Sequence, residues 1–246
     1  MYLLQKHSAI LIIICALSLT TCKRENMCDC VKSTGSTTTE YRTLSAFDKI
    51  YADDKINVFI TSDSTQEVKV EAGKHLINLI TTEVTDGELF IKNRNKCNWV
   101  RSYKKEINVY IKMPKLTSLD NEGNGDIITT DTIYGSSLFI RQHGAGNITI
   151  IANIPTISAD LFGVGDLTIK GKSSNWECSM GGNGFLYASD MHAGYTWVSN
   201  NSTGNAYVSA PDWLRIFIYS EGDIYYSGNP STIQKTVQGT GNLIKQ

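Results

Sequence analysis

Three aspartates recur at one position of a repeated motif, and paired carboxylates are the groups that glycoside hydrolysis requires. They are Asp126, Asp166 and Asp223. A retaining glycosidase holds its carboxyl groups about 5–5.5 Å apart and an inverting one about 6.5–9.5 Å, whereas two repeats of stacked strands separate the backbones of Asp126 and Asp166 by roughly 10 Å. Asn147 and Phe185 occupy the same position in other repeats. A ladder of turn-forming Asp and Asn is therefore favoured, and a polysaccharide lyase or hydrolase stays the alternative.

The other reactive side chains lack, along the sequence, the neighbours that catalysis or metal binding needs. His75, His143 and His192 are isolated. No serine or cysteine has a recognisable nucleophile elbow or partner. Cys28 and Cys30 form one close pair, without the second pair or the histidine that is typical of a structural zinc site. We therefore expect no catalytic residue, no bound metal and no cofactor.

The first 21 residues have the features of an export signal. Lys6 precedes an almost unbroken apolar run from Ile10 to Leu19, which is shorter than the roughly 20 residues of a membrane span and fits a signal peptide. The residues from Leu19 to Cys22 resemble a bacterial lipobox. This resemblance implies cleavage before Cys22 and a diacylglycerol thioether on its sulfur, whose acyl chains anchor the mature chain to a membrane. A plain secretory signal is the alternative.

Composition and charge limit the class of protein that follows the signal. The chain has 23 Lys and Arg against 24 Asp and Glu, a net charge of -1, which argues against a nucleic-acid partner. Residues 22–43 are polar and are expected to be a flexible tether. Export to an oxidising compartment allows disulfides, and we expect any to lie among the cysteines outside the repeats, namely Cys28, Cys30 and Cys97.

A Gly-x-Gly motif, followed in most copies by Asp or Asn and an apolar residue, recurs with a nearly constant period. Successive second glycines are 21, 19, 19, 20, 18 and 19 residues apart. Apolar residues around each motif alternate with a period of two, which is the strand period, and one such unit suits one coil of a β-solenoid. The glycines are expected at corners where a Cβ would clash or where φ must be positive: Gly125, Gly146, Gly165, Gly184, Gly204, Gly222 and Gly241.

The sequence therefore divides into a signal (1–21), a tether (22–43), a β-rich head or cap (44–116) and the solenoid repeats (117–246). The cap segment includes an Asp86-Gly87 turn between two alternating stretches, which predicts a hairpin. Within the repeats, Cys178 falls in an inward column and is expected to be reduced and buried.

Segments on both sides of the cap boundary resemble the head-GIN domain of autotransporter-type adhesins, over about residues 44–246. This resemblance implies an all-β, right-handed parallel β-helix on the envelope of a two-membrane bacterium, and the glycine period predicts coils of about 19–21 residues. With the lipobox the resemblance implies an outer-membrane lipoprotein, and it names no ligand. Besides the Gly-x-Gly repeats, the segments that carry it are Phe47–Ile50, Ile56–Val58, Val68–Ala72, Leu79–Val84 and Asp86–Leu89.

One column of the repeats holds tyrosine in three successive coils, at Tyr187, Tyr207 and Tyr225. The position lies between two inward positions, so it is expected to face outward, with rings about 4.8 Å apart. Trp197 and Tyr219 lie in the same coils. Amphipathic rings on a rigid scaffold suit a glycan or protein ligand, so we expect a non-enzymatic, lipid-anchored solenoid that presents a binding surface. A ladder that only stabilises the sheet, in a purely structural envelope protein, is the alternative.

Overall fold

The computed structural model describes residues 33–95 and 105–246. The predicted signal peptide, Cys22, Cys28, Cys30 and Cys97 lie outside these residues. Strands dominate the described chain, with one 3-10 turn at Ile77–Leu79, and none of its helices is long and apolar enough to cross a bilayer. The strands are β1 (Thr37–Arg42), β2 (Lys49–Ala52), β3 (Asn57–Ser62), β4 (Glu67–Gly73), β5 (Ile80–Thr85), β6 (Glu88–Asn93), β7 (Asn108–Met113), β8 (Ser118–Asn121), β9 (Ile127–Tyr134), β10 (Ser137–Gln142), β11 (Ile148–Asn153), β12 (Thr156–Leu161), β13 (Leu167–Met180), β14 (Leu186–Ala188), β15 (Met191–Asn200), β16 (Ala206–Ser209), β17 (Trp213–Ile218), β18 (Ile224–Ser227), β19 (Thr232–Val237) and β20 (Leu243–Lys245).

The repeats form a β-solenoid, as the glycine period predicts. Strands of successive coils pair in parallel, and every coil contributes one strand before its Gly-x-Gly turn and one after it. We call the strands before the turn the first series and those after it the second series. One inward column of the first series runs in register through seven coils, and its first six members are buried: Leu119, Ile140, Ala159, Cys178, Val198, Ile216 and Lys235.

The order of coils in space differs from their order in the chain. Strand β2 pairs in parallel with β6 on one side and with β8 on the other. Strand β3 lies in the same way between β7 and β9. The coil made by β2 and β3 therefore lies between the coil of β6 and β7, which follows it in sequence, and the first coil of the repeats. The described strands between residues 44 and 116 thus begin the solenoid as well as cap it.

Antiparallel strands close this end of the solenoid. Strand β4 pairs antiparallel with β7, and β5 pairs antiparallel with β6. The β5–β6 hairpin turns at Asp86 and Gly87, which both have positive φ, as an Asp-Gly hairpin turn requires. Strand β1 adds to β4, so residues 37–42 are ordered strand and not the flexible tether expected there. Their threonine-rich sequence has high β propensity and covers an edge that would otherwise be unpaired.

The interior is an apolar column with Trp176 as its largest fully buried side chain. Cys178 is buried and free, as expected from its column, and burial raises the pKa of its thiol. A thiol that is both protonated and inaccessible is inert towards oxidation. Cys178 is therefore a small core residue and not a reactive group.

The motif glycines are required by the close approach of one coil to the next. An ideal Cβ on Gly146 would lie less than 3.0 Å from the carbonyl oxygen of Gly125, and each of the other second glycines meets the coil before it in the same way. Positive φ, the other expected reason, does not apply, because among the described residues it occurs at other glycines such as Gly87 and Gly171. Buried amides also contact these turns: Asn200 Nδ2 donates to the carbonyl oxygens of Gly204 and Gly222, at 3.0 and 3.1 Å.

Candidate functional site

The three tyrosines form one continuous ladder on the second series of strands. Tyr187 on β14 lies opposite Tyr207 on β16, which lies opposite Tyr225 on β18. Along its strand each tyrosine lies between two buried residues. Because successive side chains of a strand point to opposite faces, each tyrosine side chain faces outward. Tyr187 is the most open of the three, with 42% of its surface exposed.

The rings of this tyrosine ladder lie partly face to face. The Tyr187 and Tyr207 centroids are 5.6 Å apart with planes 6° from parallel, and the Tyr207 and Tyr225 centroids are 4.9 Å apart with planes at 10°. Two rings side by side in one plane would need roughly 6 Å or more, because carbon atoms in contact stay about 3.5 Å apart. The rings are therefore stacked with an offset and do not lie side by side in one plane. Phe185 extends the stack beside Tyr187, at 6.2 Å.

Two hydroxyl groups of the ladder, those of Tyr187 and Tyr225, have raised pKa values and are hydrogen-bond donors at neutral pH. Partial burial and then the charge of Asp166 raise the pKa of Tyr187. Partial burial and the charge of Asp223 raise the pKa of Tyr225, whose hydroxyl donates to Asp223 Oδ2 at 3.3 Å. A ligand on this face would meet a line of tyrosine hydroxyl groups repeating at the coil spacing, bordered by the carboxylates of Asp166 and Asp223.

A second aromatic cluster lies on the first series of strands in the same coils. Trp197 and Phe217 have centroids 6.0 Å apart, and Phe217 and Tyr219 are stacked at 6.1 Å. The Arg215 guanidinium lies over the Phe217 ring at 5.1 Å. Trp197 and Tyr219 were expected in these coils, but Phe217 joins them through its register on β17. An alignment of the repeats that compared outward positions of the first series would have indicated it.

The three candidate acids are tied into a structural ladder. Each offers its Oδ1 oxygen to a backbone N–H of the next coil, which is the pattern expected of an Asp and Asn turn ladder and not of a pair of catalytic carboxyls. The described structure thus supports the favoured interpretation of these residues. Asn147 N–H donates to Asp126 at 2.8 Å, Phe185 N–H to Asp166 at 2.8 Å, and Asn242 N–H to Asp223 at 2.7 Å.

The expectation that His143 is isolated is wrong. Its Nδ1 lies 2.8 Å from Glu122 Oε1, and its ring is 5.9 Å from that of Phe162. Asp120 is close by and buried, with Oδ2 accepting a bond from Arg141 at 2.6 Å. Burial raises the pKa of Asp120 despite this arginine. Glu122 and His143 are 21 residues apart in sequence, but one coil brings them together.

The chain belongs to the family described as "Putative auto-transporter adhesin, head GIN domain", which matches residues 46–230. The predicted resemblance is therefore confirmed over most of the chain. No curated protein matches it.

Solved structures share the fold at low sequence identity. A putative adhesin from Bacteroides fragilis is 22% identical with a TM-score of 0.81, covering 86% of this chain and 97% of its own. A protein from Parabacteroides distasonis described as a putative lipid binding protein is 20% identical with a TM-score of 0.64, covering 87% of this chain and 98% of its own. A putative adhesin from Parabacteroides merdae is 18% identical with a TM-score of 0.61, covering 88% and 98%. At these identities the likeness is one of fold.

Proposed function

We propose that this protein is an outer-membrane lipoprotein that binds a glycan or protein ligand on its tyrosine ladder, as part of adhesion. The observation that carries the proposal is the register of Tyr187, Tyr207 and Tyr225, which places three outward rings on adjacent coils. Membership of a family of adhesins supports a binding role. The aspartate ladder disfavours the polysaccharide-active enzyme, because its carboxylates are engaged in backbone contacts.

The physical basis is a rigid, preorganised aromatic surface. Tyrosine supplies a large contact area and a polar end with only two side-chain torsions to fix. In the ladder these torsions are already restricted by the neighbouring rings, so ligand binding costs little side-chain conformational entropy. Because the rings are stacked with an offset, the ligand is expected to contact their hydroxyl groups and the ring surface that remains exposed.

Changing Tyr187, Tyr207 and Tyr225 together to threonine is expected to abolish this binding. Threonine keeps β propensity and already stands one coil earlier at Thr168, so the fold should survive. The measurement is adhesion of purified protein to whole cells, glycan arrays and extracellular-matrix proteins. The corresponding triple change to phenylalanine is expected to weaken binding as well, because it removes the hydroxyl groups and leaves the stack.

A matched control changes two exposed tyrosines that lie outside the ladder. Tyr41 is 68% exposed and Tyr134 is 60% exposed, and the pair changed to threonine should bind as the parent does. If the ladder variant binds as well as the parent in an assay where the parent binds, this surface is not the binding site.

The lipid anchor is a separate part of the proposal, carried by the lipobox that ends at Cys22. Cys22→Ala is expected to release the protein from membranes, because no thioether can form and an anchored chain depends on its acyl groups. Incorporation of labelled fatty acid and detergent phase partition measure this. Cys15→Ala, a change within the apolar signal, is the control and should keep the label. An acylated, membrane-bound Cys22→Ala protein would contradict the assignment.

A further inference from the structure

Three side chains that can ligate a metal ion meet on the outer side of the first series of strands. They are Asp120, Glu122 and His143, and one ligand atom of each lies within 4.8 Å of the others. Parallel pairing of β8 with β10 sets Asn121 opposite Gln142, so the residues that follow, Glu122 and His143, are neighbours across two coils. The group is thus positioned by strand register and not by a loose loop.

Backbone hydrogen bonds hold both exposed ligands in place. The N–H of Glu122 donates to the Ala52 carbonyl oxygen at 2.9 Å, and the N–H of His143 donates to the Asn121 carbonyl oxygen at 2.9 Å. Glu122 and His143 each directly follow the end of a strand, and a metal site held by a rigid sheet keeps its geometry better than one on a free loop. The ligands would need only small side-chain movements to close on an ion.

One oxygen of Asp120 has no partner, which points to a missing ligand. The Asp120 side chain is only 7% exposed, and its Oδ2 accepts a hydrogen bond from Arg141 Nη1 at 2.6 Å. Its Oδ1 is buried and has no hydrogen-bond partner among the described residues. A buried carboxylate oxygen left without a donor is costly and calls for an explanation. A cation would supply the missing interaction.

The surrounding charge also favours a cation. Asp53 follows Ala52, which lies opposite Asn121, so Asp53 stands next to Glu122 on the side away from His143. The column Asp53, Glu122 and His143 thus places two carboxylates in adjacent coils. Arg141 pairs with Asp120, so the carboxylates of Asp53 and Glu122 come in addition to that ion pair.

We propose that Asp120, Glu122 and His143 bind a divalent transition-metal ion, with Zn²⁺ as the best fit. One imidazole nitrogen and two carboxylate oxygens, with a further position open to solvent, match a three-ligand zinc site. Calcium and magnesium prefer sites built from oxygen alone. His143 Nδ1, which lies 2.8 Å from Glu122 Oε1, would bind the ion, and a neutral ring bound in this way carries its proton on Nε2. This site is independent of the tyrosine ladder.

Calorimetric titration of the full-length protein, freed of metal with a chelator and kept in detergent, tests the proposal. We expect the wild-type chain to bind Zn²⁺ at this site, and His143→Gln or Asp120→Asn to weaken that binding about 100-fold or more, since each removes one of three ligands. His192→Gln is the matched control, because the His192 ring contacts Ser209 and no carboxylate among the described residues, and it should bind as the wild type does. His143 is partly exposed, so its variant should fold even if Asp120→Asn does not.

Cysteine thiolates are general zinc ligands, so cobalt substitution distinguishes the proposed site from Cys28, Cys30 and Cys97, which lie outside the described residues. Co²⁺ at the proposed site is expected to give a d–d spectrum without a thiolate charge-transfer band, and His143→Gln is expected to remove it. A thiolate band that persists in His143→Gln, zinc affinity unchanged in both ligand variants, or no binding by the wild type overturns the proposal.

Discussion

Gly146→Ala is expected to destabilise the solenoid by about 3 kcal/mol or more, because the new methyl group would overlap a backbone atom of the adjacent coil. An ideal Cβ on Gly146 would meet the carbonyl oxygen and carbon of Gly125 at less than 3.0 Å. A flexible side chain could move aside, but this backbone belongs to the preceding Gly-x-Gly turn and is fixed by the coils on both sides. Relief therefore requires the two coils to separate locally, with loss of their hydrogen bonds.

Gly135→Ala is the matched control for this prediction. Gly135 is exposed, its φ is not positive, and the nearest atom to its ideal Cβ is Ile154 Cδ1 at 3.9 Å. The same change there should leave stability unchanged or raise it by up to about 1 kcal/mol, through the lower entropy of the unfolded chain. Denaturant unfolding monitored by circular dichroism measures both variants. Equal losses at the two sites would show that close approach is not what these glycines provide.

The repeat region was predictable from sequence because each coil repeats the same local constraints. A strand places successive side chains on opposite faces, so inward columns such as the one containing Cys178 follow once the glycine motifs are aligned. The outward tyrosines follow from the same alternation. The period fixes which residues lie side by side, and the structure confirms this register for Tyr187 and Tyr207.

The head segment was less predictable because its pairings are not local. Nothing in the alternation of β2 and β3 indicates that their coil is inserted between β6–β7 and β8–β9. These pairings join strands that are far apart in sequence, so they depend on the three-dimensional arrangement of the strand edges and not on a local sequence pattern. The hairpin at Asp86 and Gly87 was predictable, because a short turn carries its own sequence signal.

Part of the proposed metal site was predictable from the spacing of its residues in the sequence. His143 and Glu122 are 21 residues apart, which is the spacing between the glycines Gly125 and Gly146. Residues one coil apart are spatial neighbours in a solenoid, so a search at that spacing would have paired them. The buried, unpartnered oxygen of Asp120 could not have been found in this way, because it depends on how Arg141 and other side chains cover it.

Trp176→Ala is expected to cost about 3–5 kcal/mol, the range for removing a large buried aromatic side chain. Trp176 is the largest side chain that is fully buried, and it lies in register between Ile157 and Thr196 of the neighbouring coils. Each coil contacts only its neighbours, so a void there weakens two coil interfaces together. Thermal and denaturant unfolding of the purified variant measure the loss.

Two further variants separate the contribution of packing from that of the indole itself. The Trp176 Nε1–H is buried without a hydrogen-bond partner among the described residues, so Trp176→Phe removes a costly donor as well as volume and should cost under about 2 kcal/mol. Trp213→Ala removes a half-buried indole that packs on Tyr195 at 5.1 Å, outside the core, and should cost about 1 kcal/mol. A loss at Trp213 that equals or exceeds the loss at Trp176 would mean that stability depends more on the outer aromatic surface than on the apolar column.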